Sequence, residues 1–242
     1  MMYCIINDGG DTGYCIVEQL LQLNHEVILI DRKDQLPDSL IKMKSNRFSF
    51  YSFDFYQTHL IESELKNILL PGKKINGFVY SAGIGGVRPL ALTTTTFVSE
   101  MMNANLYAFL EFARLLSKKT RFEIGGSIVA ISSVSSIKGL KSKIAYSASK
   151  AALDAAIRGM AAELAERKIR VNSIRKGWVE ADLKHDFIQD NIALSAQDDH
   201  ARQLLGTIGT ADLAKLVCFL LSDESRFISG TNVLLDGAYT IS

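Results

Sequence analysis

The 242-residue sequence predicts an α/β fold: a doubly wound, mostly parallel sheet of about seven strands in a single domain (residues 1–242), with helices on both faces. Three observations predict it. Short apolar runs alternate with amphipathic stretches along the chain, the pattern of βαβ units. The runs are continuous rather than alternating, as in Val27-Ile28-Leu29-Ile30, which suits strands buried on both faces. Small or polar residues stop these runs, so Asn7, Asp31, Asp54, Ser81, Ser132 and Arg175 are expected along one edge of the sheet. That carboxyl edge is where open α/β sheets bind ligands.

The elements follow in order. Residues 3–6 form a short strand, and a polar turn over 7–12 leads to a helix from Gly13, with Ile16, Val17, Leu20, Leu21 and Leu23 on its apolar face. Strands are expected at 26–30, ending at Asp31, at 48–53, ending at Asp54, and at 76–80, ending at Ser81-Ala82-Gly83. A long helix spans 97–116, with one of the threonines at 93–96 as its cap. Gly125-Gly126 are expected to break it before a fifth strand at 127–131. Residues 146–167 are Ala-rich and helical, and Ala151, Ala155, Gly159 and Ala162 leave room for another helix from a second subunit. A sixth strand at 169–174, a helix at 211–221 and a seventh strand at 231–235 complete the set. Residues 178–206 have no strand character, and an excursion of that length is expected to act as a substrate lid.

Composition excludes several classes. A net charge of +1 carries no footprint for nucleic acid, and no basic run suggests a membrane surface. Cys4, Cys15 and Cys218 are odd in number and lack CxxC spacing, which argues against a disulfide framework. His25, His59, His185 and His200 are dispersed, so no metal site is expected. The first residues turn polar too soon for a signal peptide, and no later run is long enough to span a membrane; a soluble cytoplasmic protein is expected.

Candidate chemistry centres on 133–150, SVSSIKGLKSKIAYSASK. On a helix, Tyr146 and Lys150 stack on one face, and an ammonium near a phenol favours phenolate. Such a tyrosine can exchange a proton with a substrate oxygen near neutral pH. Ser133 lies where a loop could aim its hydroxyl at the same point. Ser147-Ala148-Ser149-Lys150 also spells the SxxK of serine acyl-transfer enzymes, but the SDN and KTG partners of that chemistry are missing.

Over nearly its full length the chain resembles the short-chain dehydrogenase/reductase family, in its short, single-domain branch. The resemblance rests on SIVAISS at 127–133, AYSASKAAL at 145–153, IRVNSI at 169–174, SGTNVLLDGAYT at 229–240 and NANLYAF around Asn105. It implies a Rossmann-like sheet of order 3-2-1-4-5-6-7 and a catalytic tetrad of Asn105, Ser133, Tyr146 and Lys150. In that reading Tyr146 is the general acid or base and Ser133 holds the substrate oxygen. Lys150 binds the nicotinamide ribose, and Asn105 anchors a water in the proton relay. The partner would be a small-molecule alcohol or carbonyl, and the assembly a homodimer or homotetramer.

The family's cofactor turn, TGxxxGxG, is altered here. Aligned on Gly13, it becomes Ile6, Asn7, Asp8, Gly9, Gly10, Asp11, Thr12, Gly13, with Asp11 in place of the middle glycine. Either the Asp11 carboxylate opposes a phosphate, or Asp11 or Thr12 caps the first helix and turns away. NNAG becomes Tyr80-Ser81-Ala82-Gly83, and PG becomes Lys176-Gly177, with Val179 following and Ala181 where a threonine is usual. Asp31, ending strand two, is expected to accept from the adenosine ribose and to favour NAD(H) over NADP(H), although Arg32 beside it could pair with a 2′-phosphate. Asp54 is expected at the adenine. The competing reading is a non-catalytic Rossmann-like binding or scaffold protein with impaired dinucleotide binding.

Overall fold

The structure, a computed structural model, describes residues 1–43, 45–181 and 202–242. Seven strands, β1 (Met2–Asn7), β2 (Glu26–Asp31), β3 (Phe48–Ser52), β4 (Ile75–Tyr80), β5 (Phe122–Ser133), β6 (Arg170–Lys176) and β7 (Asn232–Leu235), form one sheet. Their order is β3-β2-β1-β4-β5-β6-β7 and every pairing is parallel. The chain leaves β1 toward β2 and β3, then returns to lay β4 on the other side of β1. The loops after β1 and β4 therefore diverge and open a crevice at the carboxyl edge.

The helices are α1 (Asp11–Gln22), α2 (Asp38–Lys42), α3 (Ile61–Ile68), α4 (Thr95–Met102), α5 (Ala108–Leu116), α6 (Ile144–Leu164) and α7 (Thr210–Leu221). Because strand side chains alternate, each central strand feeds two cores. Ile5, Leu29, Val79 and Val129 pack with Ile16, Val17 and Leu20 of α1 and Leu213 and Val217 of α7. Ile6, Ile30, Phe78 and Ile128 pack on the other face with Leu65, Phe109, Phe112 and Leu153 from α3, α5 and α6. Each fully buried side chain of this size contributes about 1.5–3 kcal/mol. The continuous apolar runs of the central strands follow from this double burial.

Several local expectations are corrected. Gly125-Gly126 do not end a helix: they lie inside β5, beside the register shift in its pairing with β4. A Cβ on Gly126 would meet the Asn76 carbonyl oxygen at 2.5 Å, so the two strands approach too closely there for a side chain. The expected helix over 97–116 is divided by a π-helical turn (Asn103–Tyr107), although its cap is as expected, Thr94 Oγ1 accepting from Phe97 N at 3.2 Å. Neither Asp11 nor Thr12 caps α1; Gly10 does, without a side chain, and Asp11 is the first helical residue. Ser132, the penultimate residue of β5, lies at the carboxyl edge as expected and is fully buried there. Of the lid expected at 178–206, residues 182–201 lie outside the described residues. Its base is held by Gln203, whose amide donates to Trp178 O at 3.1 Å and to Gly206 O at 2.6 Å.

Candidate active site

α6 carries Tyr146 and Lys150 one turn apart, and the Lys150 ammonium lies 5.9 Å from the centre of the Tyr146 ring. Lys150 is buried, and its Nζ donates to the Ile131 carbonyl at 2.9 Å. A buried ammonium needs such an acceptor. The bond ties α6 to β5 two residues before Ser133, the last residue of that strand. The Ser133 hydroxyl is nearly buried, accepts from Ser135 N at 3.2 Å and lies 3.2 Å from Ser135 Oγ.

Asn105 reaches the same place from the π-helical turn. Such turns are rare and occur often at functional sites, because one extra residue redirects the side chains around it. The Asn105 amide is fully buried. Its Oδ1 accepts from Ile84 N at 2.9 Å, and its Nδ2 donates to Ile84 O at 3.0 Å and Ser149 Oγ at 2.9 Å. Ser149 Oγ in turn donates to the Tyr146 carbonyl at 2.8 Å. With both amide hydrogens engaged, only an Oδ1 lone pair remains to receive a further donor. Gly83, at φ +154°, closes over this group: a Cβ there would fall 2.6 Å from Asn105 Oδ1 and 3.3 Å from Lys150 Nζ. Ser81 N donates to Ile6 O at 2.8 Å, and Ala82 is buried. Gly177 N donates to Leu235 O at 2.8 Å, while Val179 is buried in the core formed by α1 and α7.

The other half of the crevice is built around Asn7 and Asp31, which are register partners across β1 and β2. Asn7 Nδ2 donates to Asp31 Oδ2 at 2.8 Å and to Gly10 O at 3.1 Å. Asp31 Oδ1 accepts from Gly9 N at 2.8 Å and Lys33 N at 2.9 Å. Asp31 is thus fully buried, and both carboxylate oxygens accept hydrogen bonds within the turn. Gly9 takes φ +67°, which glycine adopts at no steric cost, and the Lys33 side chain covers it. Gly13 leaves the space that the Asn7 amide fills.

Beside this turn sits a group of which the sequence singled out Arg32 and Asp54 but not Asp8 and Tyr56. Asp8 Oδ1 accepts from Arg32 Nη1 at 3.0 Å, and Asp8 Oδ2 accepts from the Tyr56 hydroxyl at 2.6 Å. Arg32 Nε donates to Asp54 Oδ1 at 3.0 Å, and its guanidinium lies 4.1 Å over the Tyr56 ring. Burial pushes the Asp8 carboxyl above the ordinary carboxylate range, more than its bonds from Tyr56 and Arg32 pull it down. Asn103 Nδ2 donates to Tyr56 O at 2.7 Å, which joins this group to the turn that carries Asn105.

The residues present fit a dinucleotide unevenly. At the β4–β6 end, Gly83, Asn105 and Lys150 form a close-packed polar floor beside Tyr146. At the β1–β3 end, no side chain caps the N-terminus of α1, which suits a polyanion, while the Asp11 carboxylate in its first turn opposes one, and the buried Asn7 Oδ1 has no hydrogen-bond partner.

A family profile described as enoyl-(acyl carrier protein) reductase matches residues 11–240. A 3-oxoacyl-[acyl-carrier-protein] reductase of Mus musculus is 32% identical over 241 residues, covering 97% of this chain and 96% of that protein. The chain belongs to the short-chain dehydrogenase/reductase family. A short chain dehydrogenase family protein from Francisella tularensis superposes with a TM-score of 0.86 at 26% identity, over 100% of this chain and 99% of the other. A 4-hydroxyisoleucine dehydrogenase complexed with NADH superposes at 0.81 and 26% identity, over 99% of each. This short-chain dehydrogenase/reductase is accordingly an oxidoreductase that interconverts an alcohol and a carbonyl with a nicotinamide dinucleotide. Among the described residues no helix is long and apolar enough to cross a membrane.

Proposed function

We propose that Tyr146 exchanges the proton between the enzyme and a small-molecule alcohol or carbonyl, and that the protein favours NAD(H) over NADP(H). The observation that carries the proton-transfer role is the buried Lys150 ammonium 5.9 Å from the Tyr146 ring, held in place by the Ile131 carbonyl. A fixed cation so close favours the phenolate, so that Tyr146 gives its proton to a substrate oxygen in reduction and takes it back in oxidation. Ser133 is the hydroxyl available to hold that oxygen, since β5 ends there. Lys150 also serves the nicotinamide ribose. Asn105 holds Ile84 and Ser149 and offers its remaining lone pair to a relay water. The nicotinamide supplies or accepts the hydride.

For the cofactor, charge supports the preference. Asp8, Asp31 and Asp54 outnumber Arg32 and Lys33 at the ends of β1, β2 and β3, which disfavours an added 2′-phosphate. Tyr107 at the end of the π-helical turn and Leu110 on α5 expose apolar surface, and the Gly159 position on α6 is open, which supports a homodimer or homotetramer working as copies of a single domain.

The test is NADH or NADPH consumption against a panel of carbonyl compounds, with Tyr146→Phe as the control. Turnover by the wild type, lost in Tyr146→Phe while NADH binding persists, is expected. Equal turnover by both proteins would overturn the role given to Tyr146.

A further inference from the structure

We propose that Asp8, and not Asp31, is the residue that sets the preference between NAD(H) and NADP(H), by holding the Arg32 guanidinium against Tyr56 from the side opposite Asp54. The inference rests on the dinucleotide reading above and names the residue on which its cofactor preference depends.

Arg32 directly follows β2, where a cation would receive a 2′-phosphate. It is already taken. Asp8 from the turn after β1 binds Nη1 at 3.0 Å, and Asp54 from the segment after β3 binds Nε at 3.0 Å. The Tyr56 ring supports the guanidinium face at 4.1 Å, and the Tyr56 hydroxyl closes the group on Asp8 at 2.6 Å. With Asp31 and Lys33 beside them, the carboxylates and cations at these strand ends leave a net charge of about −1 where a 2′-phosphate would add more negative charge.

The two carboxylates are not equivalent. The Asp8 side chain is 18% exposed and that of Asp54 is 44% exposed, so Asp8 is less screened by water and its charge acts more strongly on Arg32. Asp31 stands apart. Its oxygens face Asn7, Gly9 and Lys33 within the turn, so it does not hold the Arg32 guanidinium, and replacing it deforms the turn for both dinucleotides.

Asp8→Asn removes the charge and keeps an oxygen that can accept from Arg32 or Tyr56. Dissociation constants for NADH and NADPH, measured by fluorescence or calorimetric titration, should show NADPH binding strengthened about five- to tenfold, with NADH changed by less than about threefold. Asp8→Ser should shift the ratio in the same direction, and Asp54→Asn should shift it less. In Asp8→Asn/Arg32→Ala the gain for NADPH should vanish, because the guanidinium relieved of one opposing carboxylate is its source. Wild-type binding of NADH with an unchanged NADPH-to-NADH ratio in both Asp8 variants would overturn this inference alone. Failure of wild type and variants to bind either dinucleotide would overturn it together with the cofactor reading.

Discussion

Lys150 and Ile131 are joined by a 2.9 Å hydrogen bond from the buried ammonium to a main-chain carbonyl, and this bond sets α6 against β5 beside Ser133. A lysine held this way cannot swing toward water, so its charge acts on Tyr146 at a defined distance. The arrangement makes Lys150 at once a structural tie and an electrostatic group, and variants should separate the two roles.

Lys150→Met keeps most of the length and removes the charge. Turnover should fall by about 10²-fold or more, and the residual pH–rate profile should move to higher pH, because the Tyr146 phenolate loses its neighbouring cation. Lys150→Arg should restore part of the rate. Initial rates across pH decide it, and an unmoved profile in Lys150→Met would show that the lysine acts only as a tie.

Gly83→Ala places a methyl group 2.6 Å from Asn105 Oδ1 at a φ that L-residues rarely adopt. Stability should fall by about 1–3 kcal/mol, with activity lost as Asn105 is displaced. Thermal or urea unfolding alongside turnover checks both. A stable variant with normal turnover would contradict the close packing of the Gly83, Asn105 and Lys150 group.

Asp31→Ala strands the Gly9 and Lys33 N–H groups and removes one of the two acceptors of the Asn7 amide. A loss of about 2–4 kcal/mol in unfolding free energy is expected. Affinity should weaken for NADH and NADPH by similar factors, because the turn deforms for both. A selective gain for NADPH would return to Asp31 the role of ribose acceptor expected from its position at the end of β2.

The raised Asp8 carboxyl has a consequence for pH. In the folded protein it binds its proton more readily than in the unfolded chain, so this group's contribution to stability is full below the unfolded carboxyl range and is lost as pH rises through its folded value. Between those two values wild type should lose stability relative to Asp8→Asn as pH increases, with no further change toward neutrality. Parallel melting curves for the two proteins give the difference directly, and a slope of the opposite sign would mean that Arg32 and Tyr56 outweigh burial.

The legibility of the chain was uneven, for identifiable reasons. Buried parallel strands need apolar side chains on both faces, so runs such as Val27-Ile28-Leu29-Ile30 marked the sheet without any partner being known. Tyr146 and Lys150 were legible because helical stacking is a property of spacing. Gly125-Gly126 were misread because paired glycines look alike whether they break a helix or permit a close approach between strands. The split in the 97–116 helix left no trace in its periodicity, since a π-helical turn adds only one residue.

By itself the sequence determined the order of elements and the doubly wound class, and it singled out the four residues proposed for proton transfer, all of which depend on local pattern or on matching segments. Only the tertiary structure decided how the cofactor turn is held. Asn7 and Asp31 meet because β1 and β2 pair in register. Asp8 meets Tyr56, 48 positions away, because the ends of β1 and β3 come to the same edge, and Asn105 meets Ser149, 44 positions away, because α6 crosses the π-helical turn. Side-chain pairs so distant in the chain have no periodicity to reveal them. Sheet pairing buries Asp31 against the turn after β1 and leaves Asp8 beside Arg32, a contact that position in the chain does not show.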